Sequence, residues 1–432
     1  MGDTRKCRIQ RSELVKRIGV IAVAISLTAG LLINVPAKAA STQTLTIWST
    51  GGDSDAAVMS VAGKLFEKAN PGVKVVVNPI SWGDGYAKVL AAAAAKSGPD
   101  IFTGGLSWGI SAGNKGALAD LRALNVVNTV QPKVAPQIYK ALVGYKSTKV
   151  YAVPYDLTLM MMFYDKNTLT KAGIAAAPKT IDDFNAAAAK LKAAGVKTPV
   201  YNEWGNGDWL GFFSWLYSAG GSFYDSKCNV TINNAKGVAA LTQYKKLYTD
   251  FGAPKPGVAD WSMNDNIQKG NYGIGFSGNF QASSYYSYYK DYKTWTAAPV
   301  PAAPGSKSVA FIGGRGISVM GYIPAAKQRL AAKFITSLYN LDTVKAMNVV
   351  GAAQNAIFLS PVPDYADAIA SYPADVLTTI KSQLRDAQGP PNCNGWEDSQ
   401  PDVTKALQSY LFGTTSAQDA LNAAAAAMKS RL

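Results

Sequence analysis

Residues 45–102 alternate between two periodicities, and that alternation restricts the fold more than any other feature of the chain. Residues 45–48, Leu-Thr-Ile-Trp, make a short apolar strand that ends in a polar, Gly-rich turn over 49–54. Val58, Val61, Ala62, Leu65 and Ala69 then recur at helical spacing and form one apolar stripe. Asp53, Ser54 or Asp55 caps the start of that helix, and Asn70-Pro71-Gly72 ends it. The Val-rich run 73–77 reads as a buried strand. A second helix over 84–97 is closed by Gly98, and 99–102 is a third strand. Strand, helix, strand, helix, strand in so short a stretch predicts a parallel sheet with right-handed crossovers.

The alternation returns after Tyr151. Residues 159–164 read as a strand, and helices follow at 180–194, 209–219 and 235–249. Strands are expected at 272–276 and 310–320. The helix at 325–340 has Leu330, Phe334, Ile335 and Leu338 on one face. The alanine-rich tail 416–432 is a helix that needs a packing partner to be stable. No long linker and no internal repeat divides the chain. Two α/β units that cannot be cut cleanly in sequence imply two lobes joined by several chain crossings, and the length beyond Ser41 suits two lobes.

Residues 1–40 read as separate from the folded part. Arg5, Lys6, Arg8, Arg11, Lys16 and Arg17 precede an apolar run over 18–35, and Ala37-Lys38-Ala39 is a small-x-small pattern. This is the order of a secretory signal peptide, cleaved after Ala39 or Ala40. The apolar run is also about long enough to span a bilayer, so an N-terminal anchor is the other reading. No cysteine follows the cleavage site for lipid attachment. The net charge of the whole chain is +15, and the seven basic and two acidic residues of 1–40 leave about +10 on the remainder. The basic residues are scattered over alanine-rich helices rather than gathered into a nucleic-acid-binding arm. We read them as a solvated face and expect no nucleic-acid partner.

The chain contains no histidine. That removes Ser-His-Asp and Cys-His catalysis and the usual zinc and copper ligands, while Asp/Glu chemistry stays open. No P-loop or dinucleotide-binding glycine loop and no calcium-binding loop is present, so neither cofactor nor metal is expected. Cys7 lies in the leader, which leaves Cys228 and Cys393 in an oxidising compartment where a disulfide is permitted. Sequence alone does not say whether their Cα atoms approach.

Several segments, in order, carry a resemblance that spans nearly the whole folded region. They are LTIWSTGGDSDA, LFEKANPGVKVVV, YAKVLAAAAAKSGPDIF, KGALADL, YAVPYDLTLMMMFYDKNTLTKAGI, PKTIDDFNAAAAKLKAAG, WLYSAGGSFYD, GNYGIGFSGNF, GGRGISVM, AAKFITSLY and TTSAQDALNAAAAAMKSRL. The chain resembles the extracellular sugar-binding proteins of ABC importers, of the maltose-binding-protein type (solute-binding protein family 1). The resemblance implies an α/β fold of the periplasmic-binding-protein-like type II, two α/β lobes with a hinged ligand cleft. It implies a leader at 1–40, an N-terminal lobe over 41–152 plus 300–345, and a C-terminal lobe over 153–299 plus 346–432. Crossings fall near 151–154, 298–300 and 341–351. The protein would be secreted, periplasmic or surface-associated, a monomer and not an enzyme. It would deliver a carbohydrate, an oligosaccharide by preference, to an ABC permease. The same fold binding a non-sugar solute, or a secreted glycosidase, are the alternatives. One departure stands out: where many members have Gly-x-Trp, this chain has Gly278-Asn279-Phe280.

A sugar presents C–H faces that stack on aromatic rings and hydroxyls that need planar polar partners. Of nine Trp, several lie beside Gly, Asn or Asp rather than inside apolar helices. Candidates are placed where strands end at a cleft. Trp48, Ser49 and Asp53 follow the first strand, Trp82 the second, and Asp100 and Trp108 flank the third. Tyr155 and Asp156 sit at the first crossing, and Glu203, Trp204 and Trp209 form the second-lobe wall. Asn279, Gly314 and Arg315 lie near later crossings, and Trp396 is set at the far wall. Asp100 is equally readable as a cap or structural turn, Arg315 as an interlobe ion pair, and the aromatics as core or loop packing. Asp100 with Asp156 would be the carboxylate pair of the glycosidase alternative.

Overall fold

A single long strand ties the molecule together. The computed structural model describes residues 42–202, 208–254, 272–280, 294–353, 359–368 and 373–432. The leader, Glu203 and Trp204 lie outside the described residues. The first unit runs β1 (Gln43–Thr50), α1 (Asp53–Ala69), β2 (Val73–Ile80), α2 (Trp82–Ala95) and β3 (Ile101–Gly105). As the alternation predicts, β1 pairs in parallel with both β2 and β3. The helices α3 (Trp108–Asn114), α4 (Val126–Val130) and α5 (Pro136–Lys140) follow. Then comes β4 (Val153–Asp165).

β4 serves two sheets. Its residues 153–159 pair antiparallel with β8 (Ile312–Val319). Its residues 160–165 pair with β6 (Tyr272–Gly278) and β7 (Trp295–Ala298). With β5 (Thr198–Asn202), the strand order is β2-β1-β3-β8-β4-β6-β5. The Met160-Met161-Met162 run is buried where β4 leaves one sheet for the other.

Helices cover each half: α6 (Lys166–Lys171), α7 (Ile181–Ala193), α8 (Trp209–Ser218) and α9 (Ala235–Thr249), then α10 (Ala325–Ser337), α11 (Leu341–Ala353), α12 (Ala374–Leu384), α13 (Trp396–Leu411) and α14 (Ala417–Lys429). Two hydrophobic cores result. One gathers β1, β3 and β8 with α1, α10, α11 and α12, and the other gathers α7, α8, α9, α13 and α14. The tail helix finds its partner there, through Leu421, Ala424 and Met428. These are the two α/β lobes.

Two details differ from the sequence expectation. The buried stripe of α1 is Val58, Met59, Ala62 and Phe66, whereas Leu65 is exposed. Phe66 turns inward because its ring meets Phe334 of α10 edge-on at 5.3 Å. Residues 341–351 are not a crossing. They form α11, whose Val344 and Met347 pack into the first core, and Val376 and Ile380 of α12 join them. The chain returns at Gln388, whose N–H donates to Ala310 and whose carbonyl accepts from Ile312 at 2.9 Å, before Cys393 enters the second core. Cys393 is disulfide-bonded to Cys228, with Cα atoms 5.6 Å apart. Among the described residues no helix is long and apolar enough to cross a membrane.

Candidate functional site

The floor of the site is a buried ion cluster on the shared strand. Arg315 of β8 lies opposite Gly105 of β3 on one side and Asp156 of β4 on the other. Its Nε donates to Asp156 Oδ2 at 2.7 Å, and Nη2 donates to the same oxygen. Its Nη1 donates to the Thr50 carbonyl at 3.0 Å and to Asp55 Oδ1. The guanidinium lies 5.4 Å from the centre of the buried Tyr155 ring, a cation–π arrangement. Burial opposes the charge on Arg315, yet Asp156, Tyr155 and Asp55 together hold its pKa well above the ordinary value. The register of β4 slips between Pro154 and Asp156, a bulge that re-aims the side chains beside it. At the same point Gly314 has φ +110°, and a Cβ there would lie 2.2 Å from the Asp156 carbonyl oxygen. Glycine at 314 is therefore required for β8 to approach β4.

One wall is aromatic. Ser81 caps α2 by accepting the Asp84 N–H, and Trp82 is the first helical residue. Its ring is 47% exposed and is the exposed tryptophan among the described residues. It meets Trp108 edge-on at 5.7 Å. Trp108 opens α3 and lies parallel to Phe102 at 6.1 Å, with Tyr86 tilted against it at 5.6 Å. Gly104 makes room for this stack, since a Cβ there would lie 2.3 Å from the Trp108 ring.

The opposite side of the wall is held by the second lobe. Glu397, in the first turn of α13, accepts from Ser107 Oγ at 2.5 Å. Asp398 accepts from Lys115 Nζ at 2.6 Å and Ser111 Oγ at 3.3 Å, and Asn114 donates to Asn394 at 3.0 Å. Behind them, Trp209 at the start of α8 meets Trp396 edge-on at 5.0 Å, and Phe223 packs on Trp396 at 4.8 Å.

Residues 48–343 match the family profile of bacterial extracellular solute-binding proteins. The chain belongs to that family. The diacetylchitobiose binding protein DasA of Streptomyces coelicolor is 28% identical over 304 residues, 68% of each chain. The GacH receptor of Streptomyces glaucescens, solved unliganded and with acarbose, superposes with TM-score 0.78 at 23% identity, over 90% of this chain and 98% of that one. The substrate-binding protein Lmo0181 of Listeria monocytogenes, solved with cycloalternan, gives TM-score 0.75 at 21% identity, over 90% and 99%. The fold is that of the maltose-binding-protein type: two α/β lobes that share their crossing strands.

For a solute-binding protein, the candidates fall into three groups. Trp82 and Trp108 come together on the aromatic wall, joined by Phe102 and Tyr86, which sequence reasoning did not single out. Tyr155, Asp156, Gly314 and Arg315 come together at the floor, and Asp55 joins them. In sequence Asp55 reads only as a helix cap, a role it also fills by accepting the Gly52 N–H at 3.1 Å. Asp53 stands exposed at the start of α1, beside the floor but without a bond to it among those described.

The third group is built into the scaffold. Asp100 accepts the Thr46 N–H at 2.8 Å and pairs with Lys327 at 2.8 Å, so its partners match the structural-turn alternative. Asn279 Oδ1 accepts the Leu159 N–H at 2.7 Å and splices β6 to β4. The Trp48 ring lies near Gly98 rather than in the aromatic wall. Ser49 is fully buried at the end of β1. Trp396 is 1% exposed: it is core of the second lobe rather than a far wall, because Trp209, Phe223 and Tyr224 enclose it. Its neighbours Glu397 and Asp398 reach the first lobe instead. In sequence they stand directly after Trp396, in the polar run Asn394-Gly-Trp396-Glu-Asp.

Proposed function

We propose that this chain captures a carbohydrate in the cleft between its lobes and delivers it to an ABC permease. One observation carries the reading: an exposed Trp82 stands on a packed aromatic wall beside a floor where buried Arg315 pairs with Asp156 and Asp55. A ring with one open face matches the C–H face of a sugar, and fixed ionic groups next to it suit hydroxyls. DasA, GacH and Lmo0181 carry diacetylchitobiose, acarbose and cycloalternan in their names or complexes, which favours an oligosaccharide. Under this reading the first lobe comprises 42–152, 310–353 and 374–388, the second 160–300 and 393–432, and β4 is the hinge. Residues 1–40 act as a secretion signal, and the folded part works as a monomer outside the cytoplasm.

Binding rather than catalysis fits the carboxylates. Asp100 is engaged by Thr46 and Lys327, and Asp156 by Arg315, so both carboxylates of this glycosidase pair are committed to partners within the protein. The deciding experiment is thermal unfolding of residues 41–432 against mono- and oligosaccharides. A ligand that binds only the folded protein raises the midpoint in proportion to the logarithm of its concentration over Kd. A shift with one sugar class, lost in Trp82→Ala, supports the reading. A shift only with peptides, amines or phosphates rejects it.

A further inference from the structure

We propose that a polar seam between α3 and the start of α13 is a latch: it holds the two lobes together before a ligand arrives, and it parts to let one in. The inference rests on the capture reading above for the binding arm of its test, and on geometry alone for the other arm.

The seam begins where the last crossing ends. The Tyr145 N–H donates to the Asn392 carbonyl at 2.9 Å, and Asn392 Nδ2 donates to the Val143 carbonyl at 2.8 Å. The next residue, Cys393, is bonded to Cys228 within the second core. The two neighbours are thus fixed to different lobes, and the pivot lies between them. Beyond it, the bonds described from the start of α13 to the first lobe are made by side chains. Asn114 Nδ2 donates to Asn394 Oδ1 at 3.0 Å, Ser107 Oγ to Glu397 at 2.5 Å and Ser111 Oγ to Asp398 at 3.3 Å. Lys115 Nζ pairs with the other Asp398 oxygen at 2.6 Å.

The first lobe is organised to receive the two acids. Ser107, Ser111 and Lys115 recur at intervals of four along α3 and its two ends, which sets them on one face. Ser107 and Ser111 are buried under α13. From α2, the Tyr86 hydroxyl donates to Ser111 Oγ at 2.6 Å and accepts from Lys115 Nζ at 3.3 Å. Lys115, Tyr86, Ser111 and Asp398 therefore close a ring of hydrogen bonds, and Asp398 is the one member that the second lobe supplies.

This chemistry suits a catch that opens. Each side-chain bond that breaks is exchanged for one to water, so its net contribution is small. The Lys115 and Asp398 side chains are 41% and 31% exposed, a setting in which an ion pair contributes little. The seam biases the balance between closed and parted lobes without fusing them. A ligand that enters the parted form and is retained by the closed one then feels the latch twice. A weaker latch raises the parted fraction and speeds entry, while it lowers the closed fraction and weakens affinity. Damage to the binding surface itself would not speed entry.

The test has two arms. Solution X-ray scattering of ligand-free residues 41–432 compares the wild type with Glu397→Ala/Asp398→Ala, which strips the seam from the second lobe, and with Lys115→Ala, which weakens it from the first. Both variants are expected to have a larger radius of gyration than the wild type. Lys115→Ala removes a partly exposed side chain and decides the question should the double variant not fold. In the second arm, stopped-flow mixing with a sugar that binds the wild type gives association rate and Kd. The double variant is expected to associate faster and yet bind about tenfold more weakly. An unchanged radius in the folded variants, or association that slows as affinity falls, overturns the latch. If no sugar binds the wild type, the capture reading falls, and scattering alone decides whether the seam holds the lobes.

Discussion

Arg315 and Asp156 face each other across the β8–β4 pair, with Nε 2.7 Å from Oδ2. Both are buried, and Asp55 closes the cluster from the start of α1. Removing one member of a buried pair leaves an uncompensated charge, a loss of about 3–5 kcal/mol. Arg315→Met should cost that much in urea unfolding. Asp55→Ala should cost less, since its side chain keeps 26% of its exposure and can be rehydrated. Equal losses for the two would show that the cluster is not organised around Asp156.

Gly314 makes the Arg315 geometry possible. Its φ of +110° and the 2.2 Å approach of a would-be Cβ to the Asp156 carbonyl leave no room for a side chain. Gly314→Ala therefore destabilises by more than the roughly 1 kcal/mol that a compatible glycine replacement would return. Because the strand it pushes apart is the one shared by the lobes, sugar affinity should fall with it. A Gly314→Ala variant with wild-type melting temperature would contradict this account.

The Cys228–Cys393 bond closes a sequence separation of 165 residues. It anchors the chain where it re-enters the second lobe, three residues before Trp396. Loss of a disulfide of this kind costs about 2–5 kcal/mol. A Cys228→Ala/Cys393→Ala double variant should melt well below the wild type, and reductant should lower the wild-type midpoint without affecting the variant.

The fold was legible because its elements announce themselves locally: short apolar runs for strands and 3.6-residue apolar stripes for helices. Two elements were not. α13 contains Pro401 in its interior, which in sequence reads as a break. α11 reads as a crossing in sequence because nothing local distinguishes a helix that packs on its own lobe from one that leads to the other. The site was partly legible for a different reason. Trp82, Trp108, Asp156 and Arg315 could be picked from strand ends, but burial decides what a residue does there. Trp396 and Asn279 share the polar neighbourhoods of ligand contacts and yet lie 1% exposed. The Ser107–Glu397 and Lys115–Asp398 contacts join residues 290 and 283 apart in sequence, which no local pattern encodes.

Burial, reinforced by Asp398, pushes the Glu397 carboxyl up to about 7 against the pull of Ser107, Trp108 and Gln400, from an ordinary value of 4.5. The folded protein then holds this proton more tightly than the unfolded chain. Its contribution to stability is fully present below about pH 4.5 and is lost as pH rises through about 7. The unfolding free energy of the wild type minus that of Glu397→Gln should fall between those limits and level off above them. A difference that is flat from pH 4 to pH 8 would place the Glu397 carboxyl in its ordinary range.

Trp82 and Asp100 separate binding from scaffold most cleanly, because sequence alone offered both as ligand contacts. Trp82 is 47% exposed and rests on its neighbours by one edge. Trp82→Ala should leave the ligand-free melting temperature nearly unchanged, since surface truncations away from special features stay within about 0.5 kcal/mol. It should weaken sugar binding by about tenfold or more, the equivalent of roughly 1.4 kcal/mol. Asp100 is 3% exposed and spends both oxygens inside the first lobe, on the Thr46 N–H and on Lys327. Asp100→Ala leaves the part-buried Thr46 N–H without its acceptor, a cost of about 1–3 kcal/mol, and should lower stability while Kd measured below the melting transition stays the same. Isothermal titration and urea unfolding of the two variants side by side give the answer. If Asp100→Ala weakens binding as much as Trp82→Ala does, the division between wall and scaffold drawn from their exposure is wrong.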